Sequence, residues 1–257
     1  MLELKKNVYF VGSFNPNMRV FDIIMETQYG TSYNAYLVCG EKTALIETVH
    51  DRFCEDYFDK IREIIPLESI DYVICNHREP DHSGSLVELI RLNPDITVIA
   101  SAAGIKNLNS ITNTQFHAQV AKDGDTLDLG ADLVLKFIIA PNLHWPDSMF
   151  TYLESRKILF SCGVLGSHYC EPRVFDDKIS YPEAYESAFR HYFDCIVAPF
   201  KPFVLSGLKK IEGLDIDMVC NSHGPVLRTR IAWAIEKYKE WSTPKANEKK
   251  TVAVFYV

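Results

Sequence analysis

The sequence lacks the features that mark several common classes of protein. Its seven cysteines are odd in number and include no CxxC pair, so the sequence indicates neither a disulfide framework nor a zinc ribbon. No apolar run reaches the ~18 residues of a membrane span, and the N-terminus lacks the apolar stretch of a signal peptide. With a net charge of -7 and no basic stripe, nucleic acid is not an expected partner. We therefore expect a cytoplasmic protein with buried, reduced thiols and no membrane or nucleic-acid partner.

The remaining composition is that of an ordinary globular protein. The chain has 257 residues, of which 47% are hydrophobic and 24% charged, enough for a sizeable core. Strand-like and helix-like patterns alternate along it, with predicted strands at 36–39, 43–47 and 71–75 and a predicted helix over 51–65. This layout predicts an α/β or α+β fold, in which mixed sheets are flanked by helices.

The end of the chain differs from the rest. Residues 242–250 are polar and predict a linker, and residues 251–257 form a β-prone apolar run that stops at the last residue. The run is either an edge strand of the preceding sheet or the first strand of a second domain that has been removed. We divide the chain into a domain over 1–245 and a linker with a first strand over 246–257.

Four potential metal ligands lie within six residues: His77, Glu79, Asp81 and His82. A short buried strand is predicted just before them and a helix from Gly84 just after them. The side chains should therefore lie on a loop at the carboxyl end of a strand, where open α/β sheets usually hold their sites. Imidazole and carboxylate groups together bind transition metals, so this loop is the candidate metal site.

Three further histidines follow predicted strands: His144, His168 and His223. A single histidine in such a place is more often structural, but beside four other ligand types we expect two of the three to bind metal. The mixture of imidazole and carboxylate suits iron, manganese or zinc. Five or six ligands exceed the needs of one tetrahedral ion, which favours two bridged metals.

The order of these residues resembles that of the flavodiiron proteins (A-type flavoproteins), which have a metallo-β-lactamase-like αββα sandwich. Hydrolases of that superfamily carry His-x-His-x-Asp-His, whereas this chain has Glu79 at the second histidine, as flavodiiron proteins do. Residues 30–37, 143–149 and 221–225 resemble further family segments in the same order. Residues 251–257 resemble the first strand of the FMN-binding flavodoxin domain that follows in this family.

The resemblance implies a set of roles. His77, Glu79 and His144 would hold one iron, and Asp81 and His223 the other, while His82 is a ligand in some members and turned away in others. The family reduces dioxygen to water, nitric oxide to nitrous oxide, or both.

The resemblance also implies cofactors and partners. Electrons would come from a donor such as rubredoxin or a flavin reductase, through FMN held by the partner subunit of a head-to-tail dimer. FMN would be present only in a full-length protein with the flavodoxin domain. Tyr29 would line the gas pocket and donate a hydrogen bond, or else be a core tyrosine, and Asp147 would orient a histidine.

The chain departs from the family at Gly163, where a bridging aspartate is expected nineteen residues after His144. Solvent could bridge the metals, His168 or Cys162 could substitute, or the site could bind fewer or different metals. If the missing bridge is the only defect, Gly163→Asp should raise metal occupancy. The alternatives to a reductase are a metal-dependent hydrolase and a degenerate, non-catalytic member.

Overall fold

A computed structural model describes residues 2–245 and residue 254 of the chain. The linker and strand predicted over 246–257 therefore lie, apart from Val254, outside the described residues, and the domain boundary stays a prediction. In chain order the strands are β1 Leu2–Lys5, β2 Val8–Phe10, β3 Ser13–Asn15, β4 Val20–Phe21, β5 Met25–Glu26, β6 Thr31–Tyr33, β7 Tyr36–Cys39, β8 Thr43–Ile46, β9 Tyr72–Ile74, β10 Thr97–Ser101, β11 His117–Ala121, β12 Thr126–Asp128, β13 Val134–Ile139, β14 Met149–Leu153, β15 Ile158–Cys162 and β16 Met218–Asn221. The α-helices are α1 Cys54–Arg62, α2 Pro80–Ser83, α3 Leu86–Leu92, α4 Ala102–Thr112, α5 Pro182–Tyr192, α6 Lys201–Ile211 and α7 Ile231–Ser242.

The described strands form two main mixed sheets. The first has the order β1-β2-β7-β8-β9-β10-β11, and the second has the order β12-β13-β14-β15-β16. In the first sheet β8, β9, β10 and β11 are parallel neighbours, and in the second β15 and β16 are parallel. Two small hairpin-like pairs, β3 with β6 and β4 with β5, lie outside them. Parallel pairing brings the carboxyl ends of successive strands to one edge, where the candidate ligands follow.

Three apolar cores show how the layers pack. The central core joins the inner faces of the two sheets, with Tyr36 and Ile74 from the first and Phe137 and Phe160 from the second. One outer core packs α1, α3 and α4 against the first sheet. The other packs α5, α6 and α7 against the second sheet. The αββα sandwich of two mixed sheets flanked by helices is therefore confirmed.

The sequence pattern was wrong about one local structure. Asp81 and His82 do not lie on an irregular loop, because residues Pro80–Ser83 form the one-turn helix α2. Pro80 occupies the first turn of this helix, where a missing backbone N–H is tolerated. His77 and Glu79 remain in the irregular segment between β9 and α2.

The cysteines are unpaired, but only some of them are buried. All seven cysteines are free; Cys75, Cys162 and Cys220 are buried, whereas Cys195 is exposed. Within residues 2–245, none of the helices combines the length and apolar character needed to cross a membrane.

A buried amide network joins the two sheets next to the candidate site. The side-chain amide of Asn34 donates to the backbone oxygens of Asn221 and Gly224, each at 2.9 Å. The side-chain amide of Asn221 donates to the oxygens of Leu165 and Pro225, each at 3.0 Å. Because these bonds enclose residues 221–225, they fix the loop that carries His223.

We predict that Asn221→Ala destabilises the protein by about 3 kcal/mol, because it leaves several buried polar groups without partners. This loss corresponds to a Tm lower by on the order of 10 °C for a domain of this size. Asn109→Ala is the matched control, since the Asn109 amide bonds to Ile105 O on an exposed helix surface. Thermal unfolding should show a change within about 0.5 kcal/mol for the control; equal losses in the two variants would refute a special role for the network.

Candidate metal centre

The structure brings all six predicted ligands together in two groups of three. His77, Glu79 and His144 form the first group, and Asp81, His82 and His223 form the second. Within each group, one potential ligand atom per residue lies within 4.8 Å of the other two. Each group thus combines one carboxylate with two imidazoles, which is a donor set that suits a transition-metal ion.

The first group converges on a single oxygen atom of Glu79. Its Oε2 lies 3.2 Å from His77 Nε2 and 3.3 Å from His144 Nε2. The other oxygen, Oε1, accepts a hydrogen bond from Trp145 Nε1 at 2.5 Å. The Arg78 guanidinium stacks over the Trp145 ring at 4.4 Å. The Glu79 carboxylate is therefore held on one side and left open toward the imidazoles on the other.

The second group converges on Asp81. Its Oδ2 lies 3.0 Å from His223 Nε2 and 3.3 Å from His82 Nε2. All three side chains are buried. The family pattern left the orientation of His82 open, and here the ring is turned toward Asp81 and His223.

Hydrogen bonds behind the imidazoles fix their orientation. Asp147 Oδ2 lies 3.0 Å from His77 Nδ1 and also accepts from the backbone N–H of Arg78 at 2.9 Å. His223 Nδ1 lies 2.8 Å from the backbone oxygen of Ser32. A carbonyl oxygen only accepts, so Nδ1 of His223 carries the proton and Nε2 presents its lone pair to the site. Asp147 therefore contacts His77, as the predicted orienting role requires, and that role stays a prediction.

Charge interactions within the site shift the pKa values of its groups. Burial lowers the pKa of His77, but the contacts with Asp147 and Glu79 outweigh it and raise the value to about 10. Burial raises the pKa values of Glu79 and Asp81, and the neighbouring imidazoles more than offset this, so both carboxyls are ionised. Burial lowers the pKa of His82 to about 3, which keeps that imidazole neutral.

Unpaired buried atoms agree with a metal ion in each group. His77 Nε2 in the first group and Asp81 Oδ2 in the second are shielded from solvent and have no hydrogen-bond partner. Atoms of opposite polarity lie close to both, yet not in hydrogen-bonding geometry. Leaving such groups unpaired is unfavourable, and a cation between the imidazole and carboxylate atoms would relieve it.

Two clefts give access to Glu79 from outside. One, of about 500 Å³, is lined by Phe21, Asp22, His144, Trp145 and Phe200 together with Glu79. The other, of about 510 Å³, runs past Tyr33, His50 and Asp81. Burial, followed by the charges of Glu79 and Asp81, raises the pKa of Asp22 at the mouth. The sequence pattern did not single out Asp22, Phe21 or Trp145.

Tyr29 belongs to neither of the two groups. Its ring packs against Tyr169 with centroids 5.6 Å apart, and it lines a cavity of about 240 Å³ that His168 also borders. The predicted hydrogen bond from Tyr29 to a bound gas stays a prediction.

The two proposed substitutes for the missing bridge behave differently. His168 belongs to neither group, although its ring centroid is 4.9 Å from that of His223. Its Nδ1 lies 2.8 Å from Thr31 Oγ1, and its Nε2 has no partner. Burial raises the pKa of the Cys162 thiol well above its ordinary value, which disfavours the thiolate that binds metal.

Gly163 lies beside the first group, as its place in the sequence suggests. A Cβ atom at this position would stand 3.9 Å from His144 Cε1 and only 2.7 Å from the hydroxyl oxygen of Tyr192. The space that an aspartate would need is therefore occupied. Gly163→Asp alone is not expected to restore a bridge.

Glu47 is a further buried carboxyl next to the site. It follows β8 with a φ of 63°, and its Oε1 accepts from the backbone N–H of Asn76 at 3.1 Å. The other oxygen has no hydrogen-bond partner. Burial is the main reason that the pKa of Glu47 is raised to about 8.

Comparisons with known proteins agree with this geometry. A sequence profile described as "ODP family beta lactamase" matches residues 31–224. The chain is 51% identical over 258 residues to "Flavo-diiron protein FprA2" of Clostridium acetobutylicum, a match that covers 99% of this chain and 64% of that relative. It is 39% identical over 255 residues to "Diflavin flavoprotein A 1" of Synechocystis, a match that covers 99% of this chain and 44% of that relative.

Solved structures give the same result. The "rubredoxin oxygen:oxidoreductase" of Desulfovibrio gigas superposes with a TM-score of 0.90 at 31% identity, covering 94% of this chain and 61% of that one. The flavodiiron protein of Giardia intestinalis superposes with a TM-score of 0.89 at 31% identity, and the match covers 93% of this chain and 58% of that one. The fold and the ligand-bearing edge define a protein of the metallo-β-lactamase-like class. Within that class, the chain belongs to the flavodiiron protein family.

We predict that Asp147→Ala weakens metal binding by roughly 10–100-fold, because His77 loses the acceptor that fixes its ring. Titration of the metal-free protein with Co(II) measures this affinity. Asp95→Ala, at an exposed carboxylate, is the control and should bind as the wild type does. An unchanged affinity in Asp147→Ala would show that the ring of His77 is held by other contacts.

We predict that Glu47 makes the metal-free protein less stable as pH rises from about 5 to about 8. A carboxyl with a raised pKa holds its proton in the folded state, so its contribution is present at low pH and is lost toward the folded pKa of about 8. Glu47→Gln keeps the acceptor for Asn76 without a titrating proton. In urea unfolding, the free energy of unfolding of Glu47→Gln should rise relative to that of the wild type by on the order of 2 kcal/mol between pH 5 and pH 8. Parallel pH profiles of the two proteins would contradict this.

Proposed function

We propose that this chain is the diiron domain of an oxidoreductase that reduces dioxygen to water, nitric oxide to nitrous oxide, or both. The observation that carries the proposal is the pair of ligand groups, each with one carboxylate and two imidazoles, side by side at one sheet edge. His77, Glu79 and His144 would hold one ion, and Asp81, His82 and His223 the other.

Iron is the metal that this donor set favours. Carboxylate and imidazole ligands without thiolate suit iron in both of its redox states, and Glu79 adds a negative charge where hydrolases of the superfamily have a neutral histidine. When bound, the iron pair would supply the binding site and the electrons for reduction of a diatomic gas. Zinc and manganese are the alternative occupants of the same ligands.

The chain's own residues orient and enclose this centre. Asp147 and Ser32 O fix the ring orientations of His77 and His223, so that each Nε2 faces inward. Trp145 holds one oxygen of Glu79 and leaves the other for the metal. The clefts beside Glu79 are wide enough for a diatomic gas to enter.

The electron supply is proposed from the relatives. The chain covers about two thirds or less of the length of the relatives described above. The names of the two curated relatives mention flavin, and that of the Desulfovibrio gigas protein mentions rubredoxin. We propose that residues 1–245 form the diiron domain, that 246–257 begin a flavodoxin-like domain, and that FMN binds only in the full-length protein. A head-to-tail homodimer would bring the FMN of one subunit to the irons of its partner, with rubredoxin or a flavin reductase as donor.

Metal analysis of protein purified without added metal tests this function. We expect about two iron ions per chain, one of which is lost in His144→Ala and the other in His223→Ala. His117→Ala is the matched control, because His117 is exposed on β11 and distant in sequence from every candidate ligand. Iron-loaded, chemically reduced protein should also consume nitric oxide or dioxygen.

The other outcomes distinguish the alternatives. Two zinc ions, with no consumption of either gas, would favour a metal-dependent hydrolase. Absence of metal from the wild type, or equal metal content in all three histidine variants, would contradict a catalytic metal pair and leave a degenerate member of the family.

A further inference from the structure

The side-chain space at residue 163 is filled by another residue of this chain. Gly163 follows β15, and Tyr192 is the last residue of α5, on the opposite side of the space between them. The Tyr192 hydroxyl oxygen is 2.7 Å from the position of a Cβ atom at residue 163, a separation that real Cβ atoms do not show. The glycine and the tyrosine therefore fit each other.

Tyr192 also lies close to His223 of the second ligand group and borders the space beside His144 of the first. The Cβ position that its hydroxyl blocks is 3.9 Å from His144 Cε1, in the first group. Its ring centroid is 6.1 Å from that of His223, in the second group, and 5.0 Å from that of His168. The side chain is 1% exposed, and the charges of both Asp81 and Glu79 act on it.

We propose that Tyr192 takes the place of a bridging carboxylate, filling the side-chain space of residue 163 and presenting a neutral hydrogen-bond donor between the two ligand groups. This inference rests on the proposed function, because it concerns the same metal pair. The site then offers two carboxylates, Glu79 and Asp81, rather than three. Two divalent ions are consequently held with less negative charge, and the hydroxyl can donate to a water or anion between them.

The hydroxyl oxygen is the atom of Tyr192 that clashes with a side chain at residue 163. The Tyr192 Cζ atom is 3.9 Å from the Cβ position at residue 163, an ordinary van der Waals distance. Tyr192→Phe removes only the hydroxyl and so should make room for a side chain at residue 163. The proposal thus predicts that substitutions at 163 and 192 are strongly coupled.

Alanine at residue 163 tests the steric part without adding charge. We expect Gly163→Ala to lower the Tm of the metal-free protein by on the order of 5 °C, as overpacking of a buried site does. Gly163→Ala/Tyr192→Phe should recover most of that loss. Gly163→Ala/Tyr185→Phe is the matched control, since Tyr185 is fully buried on the same helix but does not approach Gly163. It should remain as unstable as Gly163→Ala.

Aspartate at residue 163 tests the ligand part. Titration of metal-free protein with Co(II), followed by its absorption, gives stoichiometry and Kd for each variant. We expect Gly163→Asp/Tyr192→Phe to bind the second ion at least about tenfold more tightly than the wild type, because a carboxylate bridge is restored. Gly163→Asp alone and Gly163→Asp/Tyr185→Phe should show no such gain.

Two results would overturn the inference. Equal gains in Co(II) affinity in Gly163→Asp with and without Tyr192→Phe would show that the hydroxyl does not occupy the bridge position. Equal Tm values for Gly163→Ala and the wild type would show the same. Failure of the proposed function is recognised separately, because the wild type would then bind no Co(II) pair that depends on His144 and His223.

Discussion

Burial of two ionised carboxylates among four imidazoles is the constraint on which the site depends. Glu79 and Asp81 keep depressed pKa values only because histidines surround them, and several facing atoms have no hydrogen-bond partner. Protein groups alone therefore satisfy the centre incompletely. A pair of cations is the simplest addition that neutralises the carboxylates and uses the free imidazole lone pairs.

The fold supplies this arrangement by placing distant segments at one edge. Strand β9 leads to His77, the turn between β13 and β14 carries His144, and β16 leads to His223. The Asn34–Asn221 network then ties the first sheet to the second beside that last loop. Rigid strands and buried amide bonds hold the ligands more closely than flexible loops could, which is what a metal centre requires.

Much of this could be predicted from the sequence. Alternation of strand and helix patterns indicated the layered fold, and the four closely spaced ligands between residues 77 and 82 indicated the metal site. His144, His168 and His223 could be added as candidates because each follows a predicted strand, and the resemblance to the flavodiiron family then selected His144 and His223. These inferences depend on local patterns, which a single sequence displays directly.

Other features could not be predicted because they depend on tertiary packing. The helical turn Pro80–Ser83 is too short to show periodicity. Asp22, Trp145 and Tyr192 lie at or beside the centre but belong to segments without any metal-binding pattern. The sequence indicated only a missing aspartate at Gly163, whereas the structure places the Tyr192 hydroxyl oxygen 2.7 Å from the Cβ position of residue 163.

Anomalous X-ray scattering at the iron edge, from crystals of the iron-loaded protein, tests the central claim most directly. The account predicts two peaks about 3.5–4 Å apart, one bound by His77, Glu79 and His144 and the other by Asp81, His82 and His223. A single peak, peaks at other residues, or no peak at this edge of the sandwich would contradict it.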